Sequence, residues 1–138
     1  MRYKALTFQL VVFVIFLCAS IVLCASIIAC DRLREFDFER GAKVTGGNPE
    51  MGRRQLGRHS CTSCHIIPGV PKADGNRGPS LEHWASRRNF LDTLPNTPGN
   101  LEKWLRTPSH VKPGTRMPDL DVTADDSRDM TAYLFSIN

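Results

Sequence analysis

Cys61-Thr62-Ser63-Cys64-His65 is the stretch on which the reading of this chain turns. On a helical turn, C-x-x-C-H spacing brings two thiols and an imidazole to one side of the backbone. A bare C-x-x-C also serves as a redox pair, but that motif usually opens a helix after a strand in a βαβ unit, and no such unit is visible here. A tetrahedral zinc site commonly needs a second Cys or His pair at short spacing, and no cysteine follows Cys64. A structural disulfide between the two is the third alternative, since small exported domains use them. The remaining reading is covalent attachment of a c-type haem: the thiols bond the porphyrin's vinyl groups and His65 reaches the iron.

The rest of the chain fits an exported haem domain. Its 138 residues are 41% hydrophobic, which suits one globular domain with an accessory segment. Of five cysteines, Cys18, Cys24 and Cys30 lie in an apolar N-terminal stretch, so the folded part holds only the motif's own pair. Residues 10–30 carry no charge. As a helix they span roughly 30 Å, enough to cross a bilayer core. Arg2 and Lys4 precede the run, which predicts a cytoplasmic N-terminus and export of everything after Asp31. The run is longer than the usual core of a cleaved signal, favouring an uncut anchor. Ile27-Ile28-Ala29-Cys30 also resembles a bacterial lipobox, with cleavage before a lipidated Cys30 as the alternative. Either outcome tethers the domain to a membrane. The expected organisation is therefore 1–30 as membrane anchor or lipoprotein signal, 31–47 as a charged linker, and 48–138 as the haem domain.

Charge is unevenly spread. Between Met51 and Arg116 eleven basic residues face four acidic ones, an excess of +7, whereas Asp119, Asp121, Asp125, Asp126 and Asp129 outweigh Arg128 in the C-terminal part. Such a distribution orients encounter with an anionic partner surface. An exported domain with no aromatic and basic platform argues against nucleic acid.

Helix signals recur along 48–138. Asn48-Pro49-Glu50 gives an N-cap, a proline at the first helical position and an acid in the first turn, predicting a helix to about Cys61. Gly52 inside it costs about 1 kcal/mol relative to alanine, which a close helix crossing would justify. Residues 66–80 have loop composition. A short helix is expected between His83 and Leu94, with Trp84, Phe90 and Leu91 facing inward. Thr97-Pro98 repeats the cap signal, and Leu101, Trp104 and Leu105 predict a helix over 98–106. Proline-rich residues 107–122 enclose Met117. Thr123-Ala124-Asp125-Asp126 then opens a last helix with Met130, Tyr133, Leu134 and Ile137 as its apolar face. No segment alternates as a strand should, so the expected class is all-α.

A sixth, fixed iron ligand suits electron transfer. Met117 stands in an irregular loop stiffened by Pro113 and Pro118, unlike Met51 and Met130, which fall on helices. His83 and His110 are its rivals and would give bis-histidine ligation and a lower potential. His59 is too close to the attachment motif to reach the far face; otherwise these histidines read as surface residues.

Together these residues resemble the class I c-type cytochromes. Cys61-x-x-Cys64-His65 matches the attachment motif, Gly78-Pro79-x-Leu81 the loop after it, and Arg116-Met117-Pro118 the distal loop. The run from Thr123 to Leu134 resembles the C-terminal helix, which the first helix crosses at Gly52 and Leu56. The stretches Leu94 to Leu105 and Lys112 to Pro118 look most like monohaem cytochromes associated with haem–copper oxidases, while Glu82-His83-Trp84 departs from the commoner pattern. The resemblance implies a fold of three to five helices around one covalent haem c. Cys61 and Cys64 would be thioether-linked, with His65 proximal and Met117 distal. A carbonyl near Pro79 would orient the imidazole. Trp84, Arg87 and Trp104 are the candidates for propionate contacts.

The implied role is single-electron transfer, not enzymatic catalysis, in a respiratory chain of a bacterial cytoplasmic membrane. The haem domain would face the periplasm or outer side, accept electrons from a quinol-oxidising complex and pass them to a haem–copper oxidase or another redox partner. The alternatives are a haem enzyme or small-gas sensor with an open or displaceable distal position, or a fixed cytochrome subunit of a larger respiratory complex.

Overall fold

The computed structural model describes residues 2–137, with side chains described over 12–26 and 38–137. Cys30 and the flanking charges Arg2, Lys4 and Asp31, on which the anchor and lipidation expectations rest, lie outside the described side chains. The chain forms two compact units, Met1–Phe36 and Asp37–Asn138. The first unit is helical and belongs to α1 (Arg2–Thr45), and Phe13, Phe16, Ile21, Val22 and Leu23 on it are exposed. Among the described residues, no helix is long and apolar enough to cross a membrane; the described side chains take in only 12–26 of the apolar run.

The second unit contains the haem motif. Its first surprise is the stretch expected as a linker: residues 31–47 are helical as far as Thr45. From Phe38 onward this stretch joins the domain, because the Phe38 ring meets Tyr133 edge-on at 5.9 Å. Gly41 lies so close to the last helix that a Cβ there would collide with the Ala132 carbonyl. One ring contact and one close backbone approach, rather than any apolar repeat, hold this segment, so periodicity could not reveal it.

Three further helices begin where their caps predict. Asn48 accepts the Met51 N–H at 3.1 Å and opens α2 (Pro49–Arg58). Thr97 accepts the Asn100 N–H at 3.3 Å and opens α3 (Pro98–Arg106). The one-turn α4 (Pro108–Val111) follows α3 directly. Thr123 accepts the Asp126 N–H at 3.1 Å and opens α5 (Ala124–Leu134). Each hydroxyl or amide oxygen satisfies a backbone donor that the first helical turn leaves unpaired.

α5 packs against both α2 and α3. At the α2 crossing a side chain on Gly52 would run into the Asp129 carbonyl, so the backbones touch. The Asn48 N–H donates to Asp129 at 2.7 Å and pins the same corner. Leu56, Leu101, Met130 and Leu134 are almost fully buried around this junction and share one core with Trp84, Phe90, Trp104 and Tyr133.

Two expectations fail in the middle of the domain. α2 ends at Arg58 instead of reaching Cys61, because Ser60 takes a left-handed conformation, φ +59°, and turns the chain into a short 3-10 helix over Cys61–Ser63. The helix expected between His83 and Leu94 is absent. His83, Leu91 and Asp92 all have positive φ, leaving one 3-10 turn, Trp84–Ser86, and a minimal antiparallel hairpin, β1 (Asn89–Phe90) with β2 (Leu94–Pro95). The Asn96 amide donates to the carbonyls of Trp84 and Arg87 at 2.9 and 3.1 Å, replacing helical bonds with side-chain ones. The domain is thus mostly helical rather than purely so; strands of two residues are too short to alternate.

Replacing Gly52 by alanine should destabilise the domain by about 1–3 kcal/mol through overpacking, whereas Gly57→Ala on the open face of α2 should gain about 1 kcal/mol from helix propensity. Urea unfolding of the two variants checks the contrast, and equal effects would refute the crossing. A second test concerns Tyr133, whose hydroxyl donates to the Pro68 carbonyl at 2.5 Å. Burial raises its pKa above the ordinary value of 10. The unfolded chain therefore loses this proton first, so the phenol's contribution is complete below about pH 10 and falls as pH rises toward the folded pKa. Urea midpoints between pH 8 and 11 should drop more steeply for the parent than for Tyr133→Phe.

Candidate haem-binding site

The motif's imidazole is held from behind. Gly75 lies against the backbone of Ser63 and Cys64, and the Gly78 N–H donates to the Cys64 carbonyl at 2.8 Å, so the loop after the motif folds back onto it. That loop delivers Pro79, whose carbonyl lies 2.7 Å from His65 Nδ1. A carbonyl can only accept, so Nδ1 carries the proton and Nε2 keeps its lone pair for a metal. Gly78 lies flat on the ring: a Cβ there would sit 2.5 Å from His65 Cε1 and 2.8 Å from Nδ1. Arg77 adds a bond to the Ser63 carbonyl at 3.3 Å.

Cys61 and Cys64 are free thiols, both half-buried. Burial pushes the Cys61 thiol up to about 11. Among the described residues, no three His, Cys, Asp or Glu side chains gather as a metal-holding group.

The predicted propionate candidates meet in one aromatic chain. The Trp84 ring lies 5.5 Å from Phe90, and Phe90 lies 6.4 Å from Trp104. Trp84 Nε1 is buried with no hydrogen-bond acceptor. A buried unpartnered donor costs about 1–3 kcal/mol, so this N–H marks a place where an acceptor belongs. Arg87 stacks its guanidinium 4.9 Å above the Trp84 ring. One of its nitrogens donates to the Ser80 and Glu82 carbonyls at 2.6 and 2.8 Å. Arg87 therefore orders the loop just after Pro79, a role its charge alone did not suggest.

Met117 is half-buried and packs on the core cluster, as does Cys61. Its N–H donates to Thr115 Oγ1 at 3.2 Å. His83 and His110 are exposed, as surface histidines should be. His59 is different: it is half-buried, with Nδ1 3.2 Å from the Leu120 carbonyl and Nε2 3.5 Å from Asp126. Sequence reasoning placed it on the surface, and no periodicity could have shown these two partners. Gly78 was legible through its neighbour Pro79.

The residues fit a covalently attached haem: two free thiols, an imidazole with its outer nitrogen committed, an apolar core that Cys61 and Met117 pack against, and a buried N–H without an acceptor. The family model for cytochrome c matches residues 49–138, and the chain belongs to that family, whose fold carries electrons on bound haem. It is similar to cytochrome c oxidase subunit 2 of Alkalihalophilus pseudofirmus (strain ATCC BAA-2126 / JCM 17055 / OF4), 33% identical over 88 residues, covering 63% of this chain and 25% of that protein. Cytochrome c oxidase subunit 2 of Bacillus sp. (strain PS3) is 33% identical over 82 residues, covering 56% and 23% respectively. The chain thus spans about a quarter of the length of these relatives.

Gly78→Ala should push the His65 ring off the Pro79 carbonyl and lower its affinity for iron about 10-fold or more, the usual effect of disturbing a ligand's outer partner. Iron ligation read from the visible spectrum of the haem-loaded variant checks this; a parent-like spectrum at full loading would refute the contact.

Proposed function

We propose that this chain is a membrane-tethered cytochrome carrying one covalent haem c, which passes single electrons along a respiratory chain to a terminal haem–copper oxidase. The observation that carries the reading is His65, fixed by Pro79, with Nε2 making no hydrogen bond among the described residues and two unbridged cysteines just before it in the chain. The bound group supplies one-electron chemistry at iron. Cys61 and Cys64 hold it by thioether bonds, and His65 is its proximal ligand. Met117 is the distal one, a soft thioether that favours the reduced iron and raises the potential. Trp84 Nε1 would donate to a propionate, with Trp104 in the same aromatic chain through Phe90 and Arg87 stacked on the Trp84 ring as the other candidate contacts.

The apolar run 10–30 behind Arg2 and Lys4 supports a tether in a bacterial cytoplasmic membrane, with the haem domain on the outer side. Only residues 31–37 separate that run from Phe38, the first side chain seen packed in the domain. A quinol-oxidising complex is the donor that this position suits. The likeness to oxidase subunits favours a second reading on the same chemistry, a cytochrome fixed in an oxidase complex instead of one moving between partners.

Met117→Ala should lower the reduction potential by a fraction of the roughly 0.8 V that axial ligands span. It should also abolish the weak sulfur-to-iron absorption of the oxidised protein; an unchanged spectrum removes Met117 from the iron. Intact mass of membrane-extracted protein counts the haems and reports whether Cys30 is cut and lipidated. Gentle detergent extraction separates a free carrier from a fixed subunit.

A further inference from the structure

Residues 116–122 carry Met117 yet make no backbone–backbone hydrogen bond among the described residues. Side chains must therefore hold this loop in place. Thr115 accepts the Met117 N–H itself. Further along, Asp119 accepts the Ser109 N–H at 3.1 Å and its hydroxyl at 2.6 Å, tying the loop to α4. The third tie comes from the opposite side of the motif: His59, the cap residue closing α2 and two positions before Cys61, lies 3.2 Å from the Leu120 carbonyl through Nδ1. As the carbonyl only accepts, His59 is the donor. Its Nε2 faces Asp126 in the first turn of α5 at 3.5 Å, and the two side chains are 20% and 23% exposed. The ring thus stands between the Leu120 carbonyl and the Asp126 carboxylate, and Leu120 beside it packs on the core.

We propose that His59 is a positioning residue for the distal ligand: its Nδ1–H bond to Leu120 couples the haem-attachment segment to the loop that presents Met117 and holds the thioether where iron can take it. Pro118 makes the coupling short. It restricts Met117 to extended backbone, so a shift at Leu120 passes to Met117 through few free dihedrals. The inference rests on the reading of Met117 as a ligand.

Two variants of the full-length holoprotein separate the two ends of the ring. Asparagine places a donor near the position of Nδ1, so His59→Asn keeps the Leu120 bond and drops Asp126. Glutamine places its amide near Nε2, so His59→Gln keeps Asp126 and drops Leu120. The sulfur-to-iron absorption of the oxidised protein and the rate of carbon monoxide binding to the reduced protein are read on each, at equal fraction folded. Expected is a parent-like H59N and an H59Q with weakened absorption and carbon monoxide binding about five- to tenfold faster, the factor one hydrogen bond represents. An H59Q matching the parent in both readouts, or an H59N impaired as much as H59Q, overturns the coupling. A parent with no sulfur-to-iron absorption removes the ligand reading itself, and the coupling with it. If H59Q yields no holoprotein, exchange of the His59 ring N–H in the parent decides: protection from solvent supports the bond, and exchange as fast as a free imidazole overturns it.

Discussion

The crossing of α2 over α5 at Gly52 is the contact on which the domain depends. It joins positions some eighty residues apart in the chain, through backbone touching backbone and the bond from Asn48 to Asp129. Nearly everything of chemical interest, from His59 to Leu120, lies in the loop that this crossing closes. That loop is built from 3-10 turns, a two-residue hairpin and one short helix pair, elements that have little stability of their own. Their arrangement is inherited from the closed ends. A missing side chain at Gly52 is therefore a condition for the site as much as for the helix pair, and Gly41 repeats the device where α1 meets Ala132.

What the sequence made legible follows from how locally each feature is encoded. Asn48-Pro49, Thr97-Pro98 and Thr123 announce their helices because a cap bond spans only three residues. C-x-x-C-H is legible because its geometry lies within five. Gly52 could be read as a crossing because a glycine in a helix interior needs a reason. By contrast, the hairpin at Asn89–Pro95 depends on left-handed Leu91 and Asp92, which no composition rule demands. The packing of Phe38 on Tyr133 and the bonds of His59 are single tertiary contacts with no repeat to betray them. Apolar spacing at Trp84, Phe90 and Leu91 imitated a helix where Trp84, on a turn, and Trp104, on α3, instead meet the Phe90 ring on a strand.

Electron transfer is fastest when the ligands of the two oxidation states hardly move, and the two sides of this site meet that demand differently. Around His65 the contacts are mainly with backbone: the Pro79 carbonyl fixes Nδ1 and Gly78 lies on the ring, while the Arg87 and Arg77 side chains bond carbonyls of the adjoining segments. Changing the first two needs a rearranged main chain. Among the described residues, the loop around Met117 is tied only by bonds that involve side chains, from Thr115, Ser109 with Asp119, and His59. Side-chain ties are individually worth about 1 kcal/mol and can be lost one at a time. With Met117 as ligand, the asymmetry assigns permanence to histidine and adjustability to methionine. The potential and the resistance to foreign ligands then become properties of the distal loop, tunable without disturbing the attachment of the haem.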